Sequence, residues 1–311
     1  MAVFVQAVIT GLAAGAGYGL VAIGFSLVYR LTGVVQFALG ELMSLTIFVA
    51  LLAAAGTGPV TATNVASVRF VLAIAAALAV AAAAGVLVYL LAVRPFLRRA
   101  YVMGWIGGTV AAAFAIRGIL DASFQRPSYV FPEPIPFDRM VSGGVISLGG
   151  GVTLPVRAFY VIAVGVALAV FAAWLLGRTE FGRALQATAS DRVGALAVGL
   201  PVERLLMIAF ALAGVLAGAA AVVEAPAAPV SLDTGALLGL KGLVAALVVG
   251  FGSPWAGFVA GLGLGVLESV VTSVHIGGLQ LGPQYRDVVP LAFALLLLAM
   301  RLVGPASNET E

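Results

Sequence analysis

The sequence predicts an all-α integral membrane protein, a polytopic bundle of about eight or nine transmembrane helices. Its 311 residues are 62% hydrophobic and only 9% charged, whereas soluble domains average about 45–50% apolar and about 25% charged residues. Most apolar runs are about 20 residues long, the length that crosses the hydrocarbon core as a helix. They are uniformly apolar rather than alternating, which argues against a transmembrane β-barrel. The bilayer is therefore the expected solvent for most of the chain.

Eight apolar runs are long enough to span a bilayer, and a ninth is shorter. The ninth, 236–251, contains Lys241 and is interpreted either as a full span or as a half-helix that lines a cavity. All nine belong to one predicted transmembrane domain, residues 1–311. The eight long runs are 5–29, 35–56, 68–93, 102–121, 156–177, 204–223, 255–274 and 286–303.

Arginine placement orients the predicted spans. Arginines are concentrated in two connections, and the positive-inside rule places both connections on the cytoplasmic side. Two predicted spans, 102–121 and 156–177, lie between these connections. Because two crossings return the chain to the same side of the membrane, both connections can be cytoplasmic. The arginines of the first connection are Arg94, Arg98 and Arg99, and those of the second are Arg178, Arg183, Arg192 and Arg204.

The longest external segment, 123–155, contains five prolines and two short β-prone runs separated by three glycines. This order predicts a small β-hairpin with strands at 145–148 and 152–154. The hairpin is either a docking surface for an extracytoplasmic partner or an ordered loop that caps the bundle.

Composition and motifs argue against several functions. The sequence has no cysteine and one histidine, His275, so thiolate catalysis and a histidine–cysteine metal cluster are excluded. It has no Gly-x-x-x-x-Gly-Lys-Ser/Thr loop, so the chain is not expected to bind and hydrolyse ATP in that way. The net charge of +3 is small and is spread over short connections, which does not predict a nucleic-acid surface. We therefore predict a protein that is not an enzyme.

The cytoplasmic segment 178–204 is too polar to span the membrane and too regularly patterned for a flexible linker. Its pattern predicts a short helix parallel to the membrane, with a small face that fits a groove on another protein. The alternative is a structural helix within the loop, which packs on the helix bundle of the same chain. The spaced apolar positions are Ala184, Ala187, Ala195 and Val198, and the predicted helix stop is Gly199 followed by Pro201.

This segment resembles the cytoplasmic coupling loop of ABC importer permeases, specifically the branched-chain amino-acid permease family (LivH-type). Other segments resemble the same family in the same order along the chain. Gln36 stands where the family usually has Asn, and Leu39 stands where it usually has His. If this motif contacts the translocation path, these differences leave open a substrate other than the family's commonest amino acids. The resembling segments are Gly33-Val34-Val35-Gln36-Phe37-Ala38-Leu39-Gly40-Glu41, Val93-Arg94-Pro95-Phe96, the run from Gly239 to Pro254, Gly265-Val266-Leu267-Glu268 and Tyr285-Arg286-Asp287-Val288.

The resemblance implies a multi-pass permease subunit in the bacterial cytoplasmic membrane, which forms the translocation path for branched-chain or other small amino acids. It implies a second homologous permease subunit, two ATPase subunits that carry ATP and magnesium, and an extracytoplasmic solute-binding protein. The chain itself is expected to bind no cofactor. The residues expected to couple it to the ATPases are Gly182, Arg183, Ala187, Asp191, Arg192, Gly194, Gly199 and Pro201.

Ionisable groups inside lipid are costly, so those in the predicted spans are candidates for functional positions. Arg117 and Asp121 stand one helical turn apart, and a local ion pair is a sufficient explanation for them. Lys241 and Glu268 lie on adjacent segments and form either a structural pair or part of the substrate path. The candidates for the translocation path are Gln36, Leu39, Glu41, Lys241 and Glu268.

Two other classes of protein remain as alternatives. A stand-alone secondary transporter or channel, for a small polar solute such as urea or amides, would show interrupted helices with ion-binding groups at the midplane. The predicted spans contain few paired carboxylates, and a stand-alone carrier does not need a patterned cytoplasmic helix. An intramembrane enzyme would need polar catalytic groups on facing spans, where the sequence has only scattered single charges.

Overall fold

The structure is a computed structural model, which describes residues 2–55, 67–98, 104–132, 144–147, 153–273, 275–276 and 279–280 and positions 288, 292 and 296. In chain order its helices are α1 (Ala2–Thr32), α2 (Leu39–Ala55), α3 (Ser67–Val88), α4 (Arg94–Arg98), α5 (Gly104–Ser123), α6 (Val156–Arg178), α7 (Glu180–Ser190), α8 (Arg192–Ala197), α9 (Val202–Glu224), α10 (Thr234–Val248) and α11 (Pro254–Ser273). A π-helical turn, Tyr89–Val93, joins α3 to α4, and a 3₁₀ turn, Ala225–Ala227, follows α9. The short strands are β1 (Val145–Ser147), β2 (Thr153–Pro155), β3 (His275–Ile276) and β4 (Leu279–Gln280).

Six of the described helices are long and apolar enough to cross a membrane. They are α1, α3 with its continuation into α4, α5, α6, α9 and α11. Two further apolar helices are shorter, since α2 has 17 residues and α10 has 15. All eight lie where spans or half-spans are predicted. The remaining predicted span, 286–303, lies outside the described residues except at positions 288, 292 and 296.

Helix α1 is the central element, and it packs on α6, α9, α10 and α11. Its closest neighbour is α11, because glycines on both helices bring the two backbones together. A Cβ atom added at Gly15 would lie 2.7 Å from the Cα of Leu262, and one added at Gly11 would lie 2.6 Å from the Cα of Val266. Only glycine fits such a crossing. Small residues at helix contacts are the usual source of packing between membrane helices.

Helix α2 begins inside the bundle rather than at its edge. The chain leaves α1 through Gly33, which has a positive φ of 68°, and returns as a non-helical segment, 34–38, with Val34, Gln36 and Ala38 buried. Leu39 then packs against Gly24, eight residues before the end of α1 and so about 12 Å from that end. The predicted span 35–56 is therefore corrected to a re-entrant segment followed by a short helix.

The predicted external side is held by loop contacts. Strands β1 and β2 pair antiparallel, with Ile146 opposite Leu154, in the segment for which a hairpin is predicted. Tyr129 and Val230 form an isolated antiparallel bridge with two backbone hydrogen bonds of 2.8 Å. The ring of Phe48 on α2 lies 4.6 Å from that of Phe124 and 5.5 Å from that of Tyr129. Through Tyr129, these contacts fix the loop before α10 against the middle of α2 and the segment that follows α5.

Candidate functional site

A buried ion pair joins α10 to α11. The ammonium group of Lys241 lies 3.1 Å from Oε1 and 3.0 Å from Oε2 of Glu268. The hydroxyl of Tyr18 on α1 donates to Glu268 Oε2 at 3.0 Å and accepts from Lys241 at 3.2 Å. Glu268 is 1% exposed and Lys241 8%. The two predicted path candidates are thus brought together as a closed, hydrogen-bonded triad with Tyr18, and in this conformation they do not line an open passage.

A second charged group surrounds Arg117 on α5. Its guanidinium donates to Asp233 Oδ1 at 2.7 Å and to the carbonyl oxygen of Leu232 at 3.3 Å. The predicted local pair with Asp121 is present but longer, 3.6 Å, and Glu41 Oε1 lies 3.9 Å away. One arginine therefore faces three carboxylates that come from α2, α5 and the loop before α10. The prediction of a pair confined to α5 is incomplete, because Asp233 makes the shorter contact.

Glu41 lies in the wall of a small pocket between α1, α2, α5 and α10. The pocket has a volume of about 140 Å³, and aromatic and aliphatic groups form most of its lining. The first turns of α2 and α10 meet beside it, since a Cβ atom added at Gly40 would lie 3.0 Å from the Cα of Ala236. The lining residues are Phe25, Phe37, Gly40, Glu41, Ala113, Ala236, Gly239, Leu240 and Leu243.

The other two path candidates are buried in the re-entrant segment. Leu39 is fully buried and packs against Gly24 on α1. Gln36 is also fully buried, and neither polar atom of its side chain has a hydrogen-bond partner among the described residues. Buried amide groups are nearly always paired. Gln36 is therefore a marked exception in the non-helical backbone that precedes α2.

Two residues of these sites were not predicted from the sequence, Tyr18 and Asp233. A tyrosine within a long apolar helix has no distinctive spacing, so the sequence did not indicate that Tyr18 belongs to a site. Asp233 lies in a connection just before α10, where charged residues are common. Its position immediately before an apolar run was the available signal, because an acidic residue there is favoured by the helix dipole.

The predicted coupling segment forms two helices instead of one. Asp191 ends α7 and begins α8, and its carboxylate accepts hydrogen bonds of 2.9 Å from the backbone N–H groups of Val193 and Gly194. This side chain satisfies two of the unpaired donors at the start of α8. A side chain at Gly194 would collide with the Asp191 carboxylate. The single helix predicted over this segment is therefore corrected to a helix–cap–helix unit.

Other contacts fix this unit to the bundle. Thr179 accepts from the N–H of Gly182 at 3.0 Å and so caps α7. The amide of Gln186 donates to the carbonyl oxygen of Leu176, at the end of α6, at 2.7 Å. Gly182 lies so close to the carbonyl groups of Leu175 and Leu176 that no side chain fits there. The segment is thus held rigidly on the end of α6.

Most of the predicted coupling residues lie on the exposed side of this unit. Gly182 is buried and Gly194 is half-buried, whereas the other six predicted positions are exposed. Of the predicted apolar positions, Ala195 is buried, Ala184 is half-buried, and Ala187 and Val198 face outward. We call the exposed apolar surface of α8 and the turn after it the coupling patch, which consists of Val193 (77% exposed), Leu196 (57%) and Val198 (76%).

The described residues contain no group of three or more His, Cys, Asp or Glu side chains arranged to hold a metal ion. The arrangement offers instead a pocket with a charged wall among membrane helices, and a rigid apolar projection on the predicted cytoplasmic side. Together with at least six helices able to cross a membrane, these features are those of a multi-pass helical membrane protein, and they agree with the transport class.

Comparison with known families identifies the chain more closely. It belongs to the family of permease components of branched-chain amino acid transport systems, whose sequence profile matches residues 7–300. The permease protein BraD of a high-affinity branched-chain amino acid transport system in Pseudomonas aeruginosa is 27% identical over 305 residues, which cover 97% of this chain and 95% of that protein.

Two further relatives have the same general role. The permease protein LivH of the high-affinity branched-chain amino acid transport system of Escherichia coli K12 is 25% identical over 307 residues, 97% of this chain and 94% of that protein. The autoinducer 2 import system permease protein LsrC of Shigella flexneri is 37% identical over 84 residues, 27% of this chain and 25% of that protein. No solved structure matches the chain significantly.

Proposed function

We propose that this chain is a permease subunit of an ABC importer in the bacterial cytoplasmic membrane, and that it forms the translocation path for branched-chain or other small amino acids. The observation that carries the proposal is the family match over residues 7–300. Relatives that match along almost their whole length are permease proteins of branched-chain amino acid transport systems. The bundle then has eight or nine membrane helices, the last of them in 286–303.

The proposed assembly contains a second homologous permease, two ATPase subunits that bind ATP and magnesium, and an extracytoplasmic solute-binding protein. The energy comes from the ATPases, and the chain supplies the path and the mechanical connection. An apolar surface as exposed as the coupling patch favours burial against a protein partner on the cytoplasmic side. The hairpin of β1 and β2, on the opposite side, is the proposed docking surface for the solute-binding protein.

The coupling unit is suited to transmit force because it is rigid and short. Its caps and its hydrogen bond to the end of α6 join the coupling patch to a helix that packs on α1. A partner that moves the patch therefore moves α6 against the centre of the bundle. Gly182, Arg183, Ala187, Asp191, Arg192, Gly194, Gly199 and Pro201 are proposed to act in this unit, either at the surface or in its caps.

The proposed function is tested by reconstitution. The chain is reconstituted with a candidate phosphate-loop ATPase and a candidate second permease, and uptake of labelled leucine into proteoliposomes is measured with and without ATP and with and without a candidate solute-binding protein. We expect uptake to require ATP and the binding protein. The alternative, a stand-alone carrier or channel for urea or amides, predicts uptake by the isolated chain along an ion or solute gradient, and that result would contradict the proposal.

The cap of α8 gives a sharper prediction. We expect Asp191→Ala to reduce leucine-stimulated ATP hydrolysis and uptake severalfold, because loss of an N-cap costs about 0.5–2 kcal/mol and lowers the population of folded α8. A full factor of ten, which corresponds to about 1.4 kcal/mol, is reached only if the capped helix is marginally stable. Asp191→Asn is the matched control, since asparagine caps helices as well as aspartate does. It should keep nearly full activity.

Gly194→Val tests the same cap from the other side, because its side chain would displace the Asp191 carboxylate. Gly177→Val is the control, since a Cβ atom there meets nothing within 4 Å.

Equal losses in Asp191→Ala and Asp191→Asn would show that the negative charge of Asp191 matters rather than its cap.

A further inference from the structure

The pocket beside Glu41 has one polar group among apolar walls. Phe25, Phe37 and Leu243 form part of the lining, and Glu41 contributes a carboxylate. Its Oε2 atom is buried and has no hydrogen-bond partner among the described residues. Its Oε1 atom has only a distant contact, 3.9 Å, with Arg117. A buried carboxylate oxygen without a donor is costly, so this atom is placed to accept a hydrogen bond from a ligand.

The local charge favours a cation at this position. Arg117 is engaged mainly by Asp233 and the Leu232 carbonyl group, at 2.7 and 3.3 Å. Its single positive charge faces the carboxylates of Glu41, Asp121 and Asp233, which leaves the group with two excess negative charges when all three are ionised. Glu41 is the most buried of the three carboxylates and the only one of them that lines the pocket.

The depth of the pocket agrees with a position on a transport path. Phe48 packs on Phe124 at the outer end of α5. Glu41 lies seven residues before Phe48 on α2, which places it about 10 Å deeper. Charged groups at such depth in membrane proteins face the interior of the helix bundle or a water-filled cavity, and they mark candidate substrate pathways. Phe37 and Leu240, which line the pocket, are 42% and 44% exposed, so the mouth of the pocket lies on that side of the isolated chain.

We propose that this pocket is a binding site for an aliphatic amine, and specifically for the ammonium end and alkyl side chain of a zwitterionic aliphatic amino acid during its passage. Glu41 accepts the ammonium hydrogens, and Phe25, Phe37 and Leu243 surround the side chain. The proposal rests on the proposed transport function and adds the chemical determinant at this site. Drug-sized ligands fill pockets of about 300–1,000 Å³, so a pocket of about 140 Å³ suits a ligand the size of one small amino acid.

This assignment separates two substrate classes. Urea and simple amides have no cationic group and would leave the Glu41 carboxylate without its charge partner. An amine with a branched alkyl chain satisfies both the carboxylate and the apolar walls. The substrate's own carboxylate then lies toward the open mouth of the pocket, away from the three acidic side chains around Arg117.

Site-specific labelling tests the proposal, because the natural sequence has no cysteine. Leu240→Cys places a single thiol at the pocket in the full chain, purified in nanodiscs. We expect leucine to slow its modification by a cationic methanethiosulfonate reagent by a factor of 1 + [leucine]/Kd, about threefold at twice the Kd. Leucinamide should protect as well, whereas 4-methylpentanoate, which has the alkyl chain without the ammonium group, should not.

Three controls identify the interaction. Glu41→Gln in the Leu240→Cys background should abolish protection by leucine, whereas Asp121→Asn, which removes a carboxylate outside the pocket, should keep it. Leu196→Cys on the coupling patch should be modified at the same rate with and without leucine. The comparison of leucine with 4-methylpentanoate needs no change at Glu41 and holds even if that variant fails to fold.

The outcomes separate the site from the proposed function. Equal protection by 4-methylpentanoate and leucine, no protection by leucine, or protection that survives Glu41→Gln would each overturn the site. ATP-driven leucine uptake by the assembled importer, measured in parallel, reports on the transport function alone. Uptake without protection would refute the amine site and leave the importer proposal standing.

Discussion

Replacing Glu268 by alanine will lower the free energy of unfolding by about 3–5 kcal/mol, since removal of one partner leaves a buried charge without compensation. Lys241 has both carboxylate oxygens of Glu268 within 3.1 Å and is itself almost buried. Tyr18 also loses an acceptor for its hydroxyl group. The measurement is thermal unfolding of the purified chain in detergent, followed by size-exclusion chromatography of heated samples.

The control is the double variant Lys241→Met with Glu268→Met. Because replacing both members of a buried pair by apolar groups is often neutral or stabilising, the double variant should recover most of the stability lost in Glu268→Ala. If the double variant is as unstable as the single one, the ion pair is not the source of the effect. Full stability of Glu268→Ala alone would equally contradict the prediction.

This pair determines how α10 is held. Lys241 comes from α10, Glu268 from α11 and Tyr18 from α1, so one charged contact joins the short helix to the two most closely packed ones. Gly242 supports the contact by letting α10 approach the side chain of Val21. The structural role of Lys241 and Glu268 therefore has direct support in the geometry, and their role in the substrate path stays a proposal.

The helices of this protein were largely predictable because bilayer thickness fixes the length of an apolar run. Helix α6, predicted over 156–177, is observed as Val156–Arg178, and α9, predicted over 204–223, as Val202–Glu224. Hydropathy does not report where a helix begins inside a bundle. The mostly apolar residues 34–38 have the same composition whether they are helical or re-entrant, so tertiary packing decided the start of α2.

The candidate sites were predictable in part, for a different reason. Charged residues within apolar runs are visible in the sequence, and this led to Glu41, Arg117, Lys241 and Glu268. The partners that complete each group come from distant segments: Tyr18 is 250 residues from Glu268, and Asp233 is 116 residues from Arg117. Sequence spacing predicts contacts between neighbours on one helix, and it does not predict contacts between helices.

Local chemistry also decided the shape of the coupling segment. The spacing of small residues on both sides of Asp191 continues a helical period, which predicted one helix. Asp191 interrupts that helix because its side chain accepts from two backbone donors ahead of it, and such side-chain caps compete with the helical backbone. An aspartate followed by a short apolar run was the available signal for a helix start.

The crossing of α1 and α11 gives the second large effect. We expect Gly15→Leu to destabilise the chain by about 3 kcal/mol or more, at the upper end of the usual cost of overpacking. A Cβ atom at residue 15 would lie 2.7 Å from the Cα of Leu262 and 2.9 Å from its carbonyl oxygen. Backbone atoms cannot move aside as a flexible side chain does, so the two helices would have to separate along their whole contact.

Gly107→Leu is the matched control for this substitution. Gly107 lies in α5, it is exposed, and a Cβ atom there meets nothing within 4 Å. Leucine has a higher helix propensity than glycine, by somewhat less than the about 0.8–1.0 kcal/mol that separates glycine from alanine, so this variant should unfold at the same temperature as the natural chain or slightly above it. A similar loss of thermal stability in both variants would mean that the close α1–α11 contact is not what Gly15 provides. A large loss in Gly15→Leu alone would show that the centre of the permease is held by the backbone proximity of α1 and α11.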